Sequence, residues 1–220
     1  MSAPLQTARR EARRGGLWPQ VLLVYASLEG ALWTSGALQA VFAAVTMALT
    51  LAWTLSERGL WPDLGLDPTS IRRGWWIAPV GGGVAGLILL AAWQWHTLRP
   101  PAPSPPIYLD LLLSLTWALA QQFLLQSFFF LRLEQLLHGG RQAVIAAALL
   151  FSSAHIPNPV LVPVTLAGGL ILSEAFRRYR TIYLLAVAHA LVALCLAVSV
   201  PEPVLHNMRV GIAYLNYRSW

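Results

Sequence analysis

From Leu17 to Ser199 the chain is a succession of apolar runs separated by short polar or proline-rich joints. A bilayer core takes roughly 17–25 predominantly apolar helical residues per crossing. Backbone polar groups in hydrocarbon must be satisfied within the segment, so runs of this kind become helices. Seven are predicted, at 17–34, 37–55, 76–95, 108–131, 142–157, 160–176 and 181–199. The first boundary, Thr34-Ser35-Gly36, is the least marked. Composition agrees: 11% of residues are charged, against about a quarter in soluble domains. The expected fold is all-α, a polytopic transmembrane bundle of about seven spans.

Three regions are expected: a basic cytoplasmic segment (1–16), a membrane domain (17–199) and an extracytoplasmic tail (200–220). Arg9, Arg10, Arg13 and Arg14 before an apolar run also suit a signal peptide. The apolar stretch continues past Ala40 with no clear small-residue cleavage site, so an uncleaved first span is expected. Leu98-Arg99-Pro100-Pro101-Ala102-Pro103-Ser104-Pro105-Pro106 cannot continue a helix and is expected to be an extended connector.

All fifteen bases are Arg, and the absence of Lys removes Schiff-base chemistry. One cysteine, Cys195, excludes a disulfide framework and a cysteine metal cluster. With seven spans and the N-terminus inside, Arg9, 10, 13, 14, 58, 72, 73, 132, 141, 177, 178 and 180 fall inside, and only Arg99, Arg209 and Arg218 outside. That asymmetry predicts a bacterial-type cytoplasmic membrane protein, N-terminus in and C-terminus out. The net charge of +6 is then a topology signal and a match to anionic lipid, so lipid is an expected partner and nucleic acid is not.

Polar groups inside hydrocarbon cost free energy and normally face the bundle interior. The fourth run holds Gln121, Gln122, Gln126 and Ser127; the fifth ends in Phe151-Ser152-Ser153-Ala154-His155; the seventh carries His189. Gln122 and Gln126, four apart, share a helix face. Interhelical hydrogen bonding is the alternative role for such groups. Together they predict a polar pocket among the fourth, fifth and seventh spans.

Order and spacing resemble the CPBP family, which includes CAAX prenyl endopeptidases and bacteriocin-processing glutamic-type intramembrane proteases. Its motifs are E-E-x-x-x-R, F-x-x-x-H and H-x-x-x-N/D on successive membrane helices. Phe151 to His155 matches the second. Gln121-Gln122-Phe-Leu-Leu-Gln126 follows the first in outline, continued by Ser-Phe-Phe-Phe-Leu-Arg132-Leu. His189 matches the third, with Ala193 in place of its amide or acid. Leu64-Gly65-Leu66 resembles the family's loop before the next span, and the likeness runs over roughly 60–199.

The resemblance implies a peptidase site in which a motif-one glutamate activates water and the two histidines hold water and oxyanion. Carried across, the catalytic positions are His155, His189, Gln121, Gln122 and Gln126. Phe151 and, beyond the motifs, Glu29, His206, Asn207 and Arg209 are candidates for substrate binding. Glutamine matches glutamate in shape but cannot accept a proton at neutral pH, so it cannot be a general base. Loss of both carboxylates and the Arg keeps the site neutral.

Glu134 lies twelve residues beyond Gln122, about 18 Å along a helix, too far to substitute. Glu174 sits beside Arg177 and Arg178 and is expected to pair with them. Glu29 is the one acid within a predicted span interior, towards the outer end of the first span, and the best substitute carboxylate. No cofactor is expected; a divalent metal stays open, with a zinc site from His155, His189 and Glu29 having suitable ligand types. Gly81-Gly82-Gly83-Val84-Ala85-Gly86 fits a dinucleotide fingerprint in letters only, without the preceding strand, and predicts close helix packing. Phe128-Phe129-Phe130 is expected to be lipid-facing bulk or core.

Three functions follow: a hydrolase of lipidated or membrane-embedded peptides with altered catalytic groups; a pseudoenzyme scaffold holding a prenyl chain or membrane peptide; or a non-proteolytic enzyme acting on an isoprenoid or other lipid.

Overall fold

The computed structural model describes residues 3–99, 106–137 and 139–217. Most of the proline-rich connector, at 100–105, and Arg218 lie outside them. All regular structure among the described residues is helical. The long helices are α1 (Ala3–Trp33) and α2 (Gly36–Ser56); a short α3 (Ser70–Arg73) then precedes α4 (Ile77–Gln94). Next, α5 (Ile107–Gln122) runs through a π-helical stretch, Phe123–Phe130, into α6 (Leu131–Leu136). Then come α7 (Gly140–Ser153), α8 (Leu161–Tyr179) and α9 (Tyr183–Ser199), followed in the tail by α10 (Glu202–Leu205) and α11 (Gly211–Leu215).

Each of the seven apolar runs is a helix, yet their lengths are unequal. Gly36–Ser56, Ile77–Gln94 and Tyr108–Leu136 are long and apolar enough to cross a membrane. The fifth run was expected to span at 142–157, but α7 has only 14 residues, roughly 21 Å of helix. Its last apolar residues turn back at Ala154 instead of continuing, because Pro157 ends the helix-compatible sequence. The sixth, α8, runs three residues further than expected and carries Glu174, Arg177 and Arg178 in its last turns. At the N-terminus the helix begins at Ala3, so the basic segment and the first apolar run are one continuous helix.

Apolar side chains divide by depth from the core. Val41, Leu51, Leu87, Trp93, Leu112 and Trp117 are exposed on α2, α4 and α5. In water such faces would aggregate; in a bilayer they meet acyl chains. Phe128, Phe129 and Phe130 are 0–2% exposed, which assigns them to the core.

Small residues allow the closest helix contacts. A Cβ on Gly81 would lie 2.5 Å from the Ala188 Cβ, so the glycine run packs α4 on α9 at this one position. A Cβ on Gly82, Gly83 or Gly86 would meet nothing within 4 Å outside its own helix turn. A Cβ on Gly169 would likewise lie 2.9 Å from the Ala148 Cα, so the glycine lets α8 approach α7. Gly65, at φ +75°, lets the Leu64-Gly65-Leu66 loop pass against Phe176 and Ile182. Its carbonyl accepts the Ile182 amide at 3.1 Å, and Ser127 Oγ donates to the Leu64 carbonyl at 2.7 Å.

Charged groups sort to the two ends. At one, fully buried Arg132 donates to Gln20 Oε1 (2.7 Å), to the Phe128 carbonyl (3.2 Å) and to Glu57 (3.5 Å). Its guanidinium also lies 3.9 Å from the Phe128 ring centroid, so one side chain clasps α1, α2 and the π stretch. Glu174 pairs with Arg177 and Arg178 as expected, and Glu134 pairs with Arg180 at 2.7 Å. At the other end Arg99 donates to the Ala197 and Val200 carbonyls and sits 3.7 Å from Glu202.

Candidate functional site

The interior polar groups form a chain of hydrogen bonds across three helices. Gln126 Nε2 donates to Ser173 Oγ on α8 and to Gln122 Oε1, both at 3.2 Å. Gln122 Nε2 in turn meets His189 Nδ1 on α9 at 3.2 Å. Gln122, Gln126 and Ser173 are all 0% exposed. The i, i+4 spacing brings the two amides onto one face, and the π stretch begins between them, at Phe123. Such π insertions are uncommon and recur at functional sites.

The direction of these bonds fixes the imidazole tautomers. An amide nitrogen only donates, so His189 Nδ1 accepts and its proton sits on Nε2. His155 is the reverse. Its Nδ1 lies 2.6 Å from the Phe151 carbonyl, which only accepts, so the proton is on Nδ1 and Nε2 carries the lone pair. The Phe151 ring stands edge-on to both, 4.8 Å from His155 and 5.7 Å from His189. One aromatic ring therefore separates a proton acceptor from a proton donor.

Sequence boundaries put His155 at the outer end of a span, about 10 Å from the glutamines along the normal. The turn after α7 closes part of that gap. His155 N donates to the Ser152 carbonyl at 3.0 Å and Ile156 N to that of Ser153 at 3.1 Å, tightening the chain so that His155 folds over Phe151.

The remaining candidates divide. The Gln121 side chain, half-buried and a helix step away from Gln122, makes no hydrogen bond among the described residues. Glu29 lies on α1; Trp33 Nε1 donates to its Oε2 at 3.0 Å, while its Oε1 is buried without a partner. His206 stacks between Tyr214 (4.0 Å) and Tyr217 (5.0 Å), Arg209 lies over the Tyr217 ring, and Tyr217 bonds to Glu202. Asn207 sits with φ +51° between two other left-handed residues, His206 and Met208. The tail side chains thus pack on one another, while its backbone reaches the His155 turn: Gly211 N donates to the Ile156 carbonyl at 2.8 Å. Among the described residues no three His, Cys, Asp or Glu side chains are placed to hold a metal ion, so the zinc set of His155, His189 and Glu29 is not assembled.

Sequence reasoning passed over three polar residues. Ser173 completes the amide chain, and its signal was a serine inside an otherwise apolar run. Asn158 is 0% exposed; it donates to the Leu205 and Arg209 carbonyls and accepts the Val160 and Leu161 amides, fastening the tail and capping α8. Tyr25 Oη pairs with Ser153 Oγ at 2.7 Å, joining α1 to the end of α7.

The fold and cluster define a polytopic helical membrane protein with a neutral, hydrogen-bonded polar core. Residues 103–195, from the connector through most of α9, match the family described as Type II CAAX prenyl endopeptidase Rce1-like. The matched segment carries Gln122, Gln126, His155 and His189, and its likeness to that family agrees with the CPBP resemblance of the motifs. No curated protein and no solved structure matches the chain.

Proposed function

We propose that the chain is an intramembrane hydrolase of lipidated or membrane-embedded peptides in which His155 takes the place of the missing glutamate as general base. The opposed tautomers of His155 and His189 about Phe151 are the observation that carries this reading. Water loses a proton to His155 Nε2 as its oxygen bonds to the scissile carbonyl carbon. The carbonyl electron pair moves to oxygen, towards the Nε2–H of His189. Collapse breaks the C–N bond, and the leaving amine takes the proton back from His155. A positioned base contributes roughly 10²–10⁴-fold, and buried donors to an oxyanion a comparable factor.

The neutral pair Gln122–Gln126 favours a second reading, a non-catalytic scaffold that holds a prenyl chain or membrane peptide. Both amides already bond within the protein, as interhelical polar glue does. Cleavage of a prenylated peptide in proteoliposomes decides between them. The hydrolase reading expects cleavage that falls at least about 10²-fold in His155→Gln and in His189→Phe. Binding of the same peptide with no cleavage by the parent chain supports the scaffold.

A further inference from the structure

Residues 57–76 join α2 to α4, two of the helices long enough to cross a membrane. Their outside is too apolar for a loop in water. Trp61 is 47% exposed, Leu66 and Ile71 are each 41% exposed, and Trp75 is 67% exposed. The loop is nonetheless held firmly on its inner side. Beside the Gly65–Ile182 bond, the Leu66 carbonyl accepts Tyr183 Oη at 3.0 Å. A Cβ on Gly74 would lie 3.2 Å from Thr181 Cγ2, and the Trp76 ring stands edge-on to Tyr179 at 5.5 Å. These contacts fix the loop on the turn between α8 and α9, next to Arg177, Arg178 and Arg180.

Depth follows from length. The 18 residues of α4 make roughly 27 Å of helix, close to the thickness of the hydrocarbon core. With α4 spanning from Ile77 onward, Trp75 and Trp76 fall just beyond the hydrocarbon boundary, the level at which tryptophan is enriched. Arg72 and Arg73 precede Ile77 by about one further turn, at the level of the lipid phosphates. Both are exposed, and neither forms an ion pair among the described residues. Of the acids in the loop, Glu57 faces Arg132, and Asp67 accepts from Thr69 N at 2.9 Å and from its hydroxyl. Asp63 forms no ion pair among the described residues.

We propose that Arg72 and Arg73, with Trp75 beside them, bind the phosphate of an anionic phospholipid, the 57–76 loop lying in the headgroup layer. Charge complementarity selects the occupant. Two adjacent guanidiniums donate in pairs to phosphate oxygens, while the indole covers the glycerol and the top of an acyl chain. Each base near an anionic surface adds about fivefold in affinity. The site lies outside the segment matched by the family and does not depend on the hydrolase reading.

Native mass spectrometry of the full chain, released from detergent carrying phosphatidylglycerol or phosphatidylcholine, counts the retained lipid. The parent should keep phosphatidylglycerol in preference. Arg72→Gln and Arg73→Gln should each weaken that retention about fivefold, and the pair about 10–30-fold. Exposed Arg141, on α7, has the same charge without a tryptophan beside it, so Arg141→Gln should weaken retention less than about twofold. A loss in Arg141→Gln equal to those of the single loop variants would mean that net charge holds the lipid, and would overturn the proposal. Excess inorganic phosphate should leave the lipid in place; displacement would mean a site for the free anion and would also overturn it. The depth of the loop is read separately. A fluorophore on Ile71→Cys, in a Cys195→Ala background, should be quenched by lipid brominated near the top of its acyl chains. Quenching by aqueous iodide alone would put the loop in water and sink the idea whatever the lipid count.

Discussion

Gln121 and Gln122 are neighbours in sequence and differ entirely in circumstance. Gln122 is fully buried between Gln126 and His189, whereas Gln121 points about 100° away and joins none of these bonds. The motif outline could not choose between them; the helix rotation does. A carboxylate at 122 keeps the Gln126 donor, and His189 can meet it by moving its proton to Nδ1. Gln122→Glu paired with Gln126→Arg should therefore raise peptide cleavage by roughly 10²-fold over the parent, since it restores a base beside a stabilising cation. Gln121→Glu should leave the rate unchanged. Equal gains at both positions would mean that the hydrogen-bonded chain is not the reacting site.

Helix packing transmits to this cluster through α9. Ala188, which faces Gly81 of α4, is the residue before His189. The long helix α5, broken only by its π stretch, meets the same segment of α9 from another side, where Ala118 packs on Ala186 and Ala190. With glycine on one side and alanine on the other, α9 has no slack. Gly81→Val should overpack this contact and cost about 1–3 kcal/mol. It should also push His189 away from Gln122. Thermal unfolding in detergent reads the first effect, and the histidine resonances of His189 read the second. Gly82→Val, with no atom within 4 Å to meet, should change neither. A Gly82→Val protein as unstable as Gly81→Val would show that glycine flexibility, not close approach, is what α4 needs.

The molecule as a whole has two polar ends. Arg132, Arg177, Arg178 and Arg180 gather with Glu57, Glu134 and Glu174 at one, and Arg99, Glu202 and Arg209 gather with the tail at the other. The His155 turn belongs to the tail end, closed over by Gly211 and tied by Asn158. The Arg-rich end is the one the positive-inside rule assigns to the cytoplasm. Reporter fusions at Ala3 and after Trp220 should accordingly read inside and outside. Both reporters on one side would require an even number of crossings, with α7 the first helix to suspect because of its length.

The apolar runs by themselves determined an all-helical membrane protein, since hydrocarbon leaves the backbone no other way to satisfy its hydrogen bonds. The same letters marked Gln122, Gln126, His155 and His189, because polar groups at that depth need a reason to be there. Pairing of Glu174 with its neighbouring arginines was equally legible, being local to one helix turn. What joins residues far apart in the chain was not. That Ser173 completes the amide chain, that Phe151 stands between two imidazoles of opposite tautomer, and that Arg132 is buried between α1 and α2 follow from helix rotation and depth. A period of 3.6 residues says which side chains share a face, but which faces meet is set by the close approach of small residues between helices, and only the packed structure decides that.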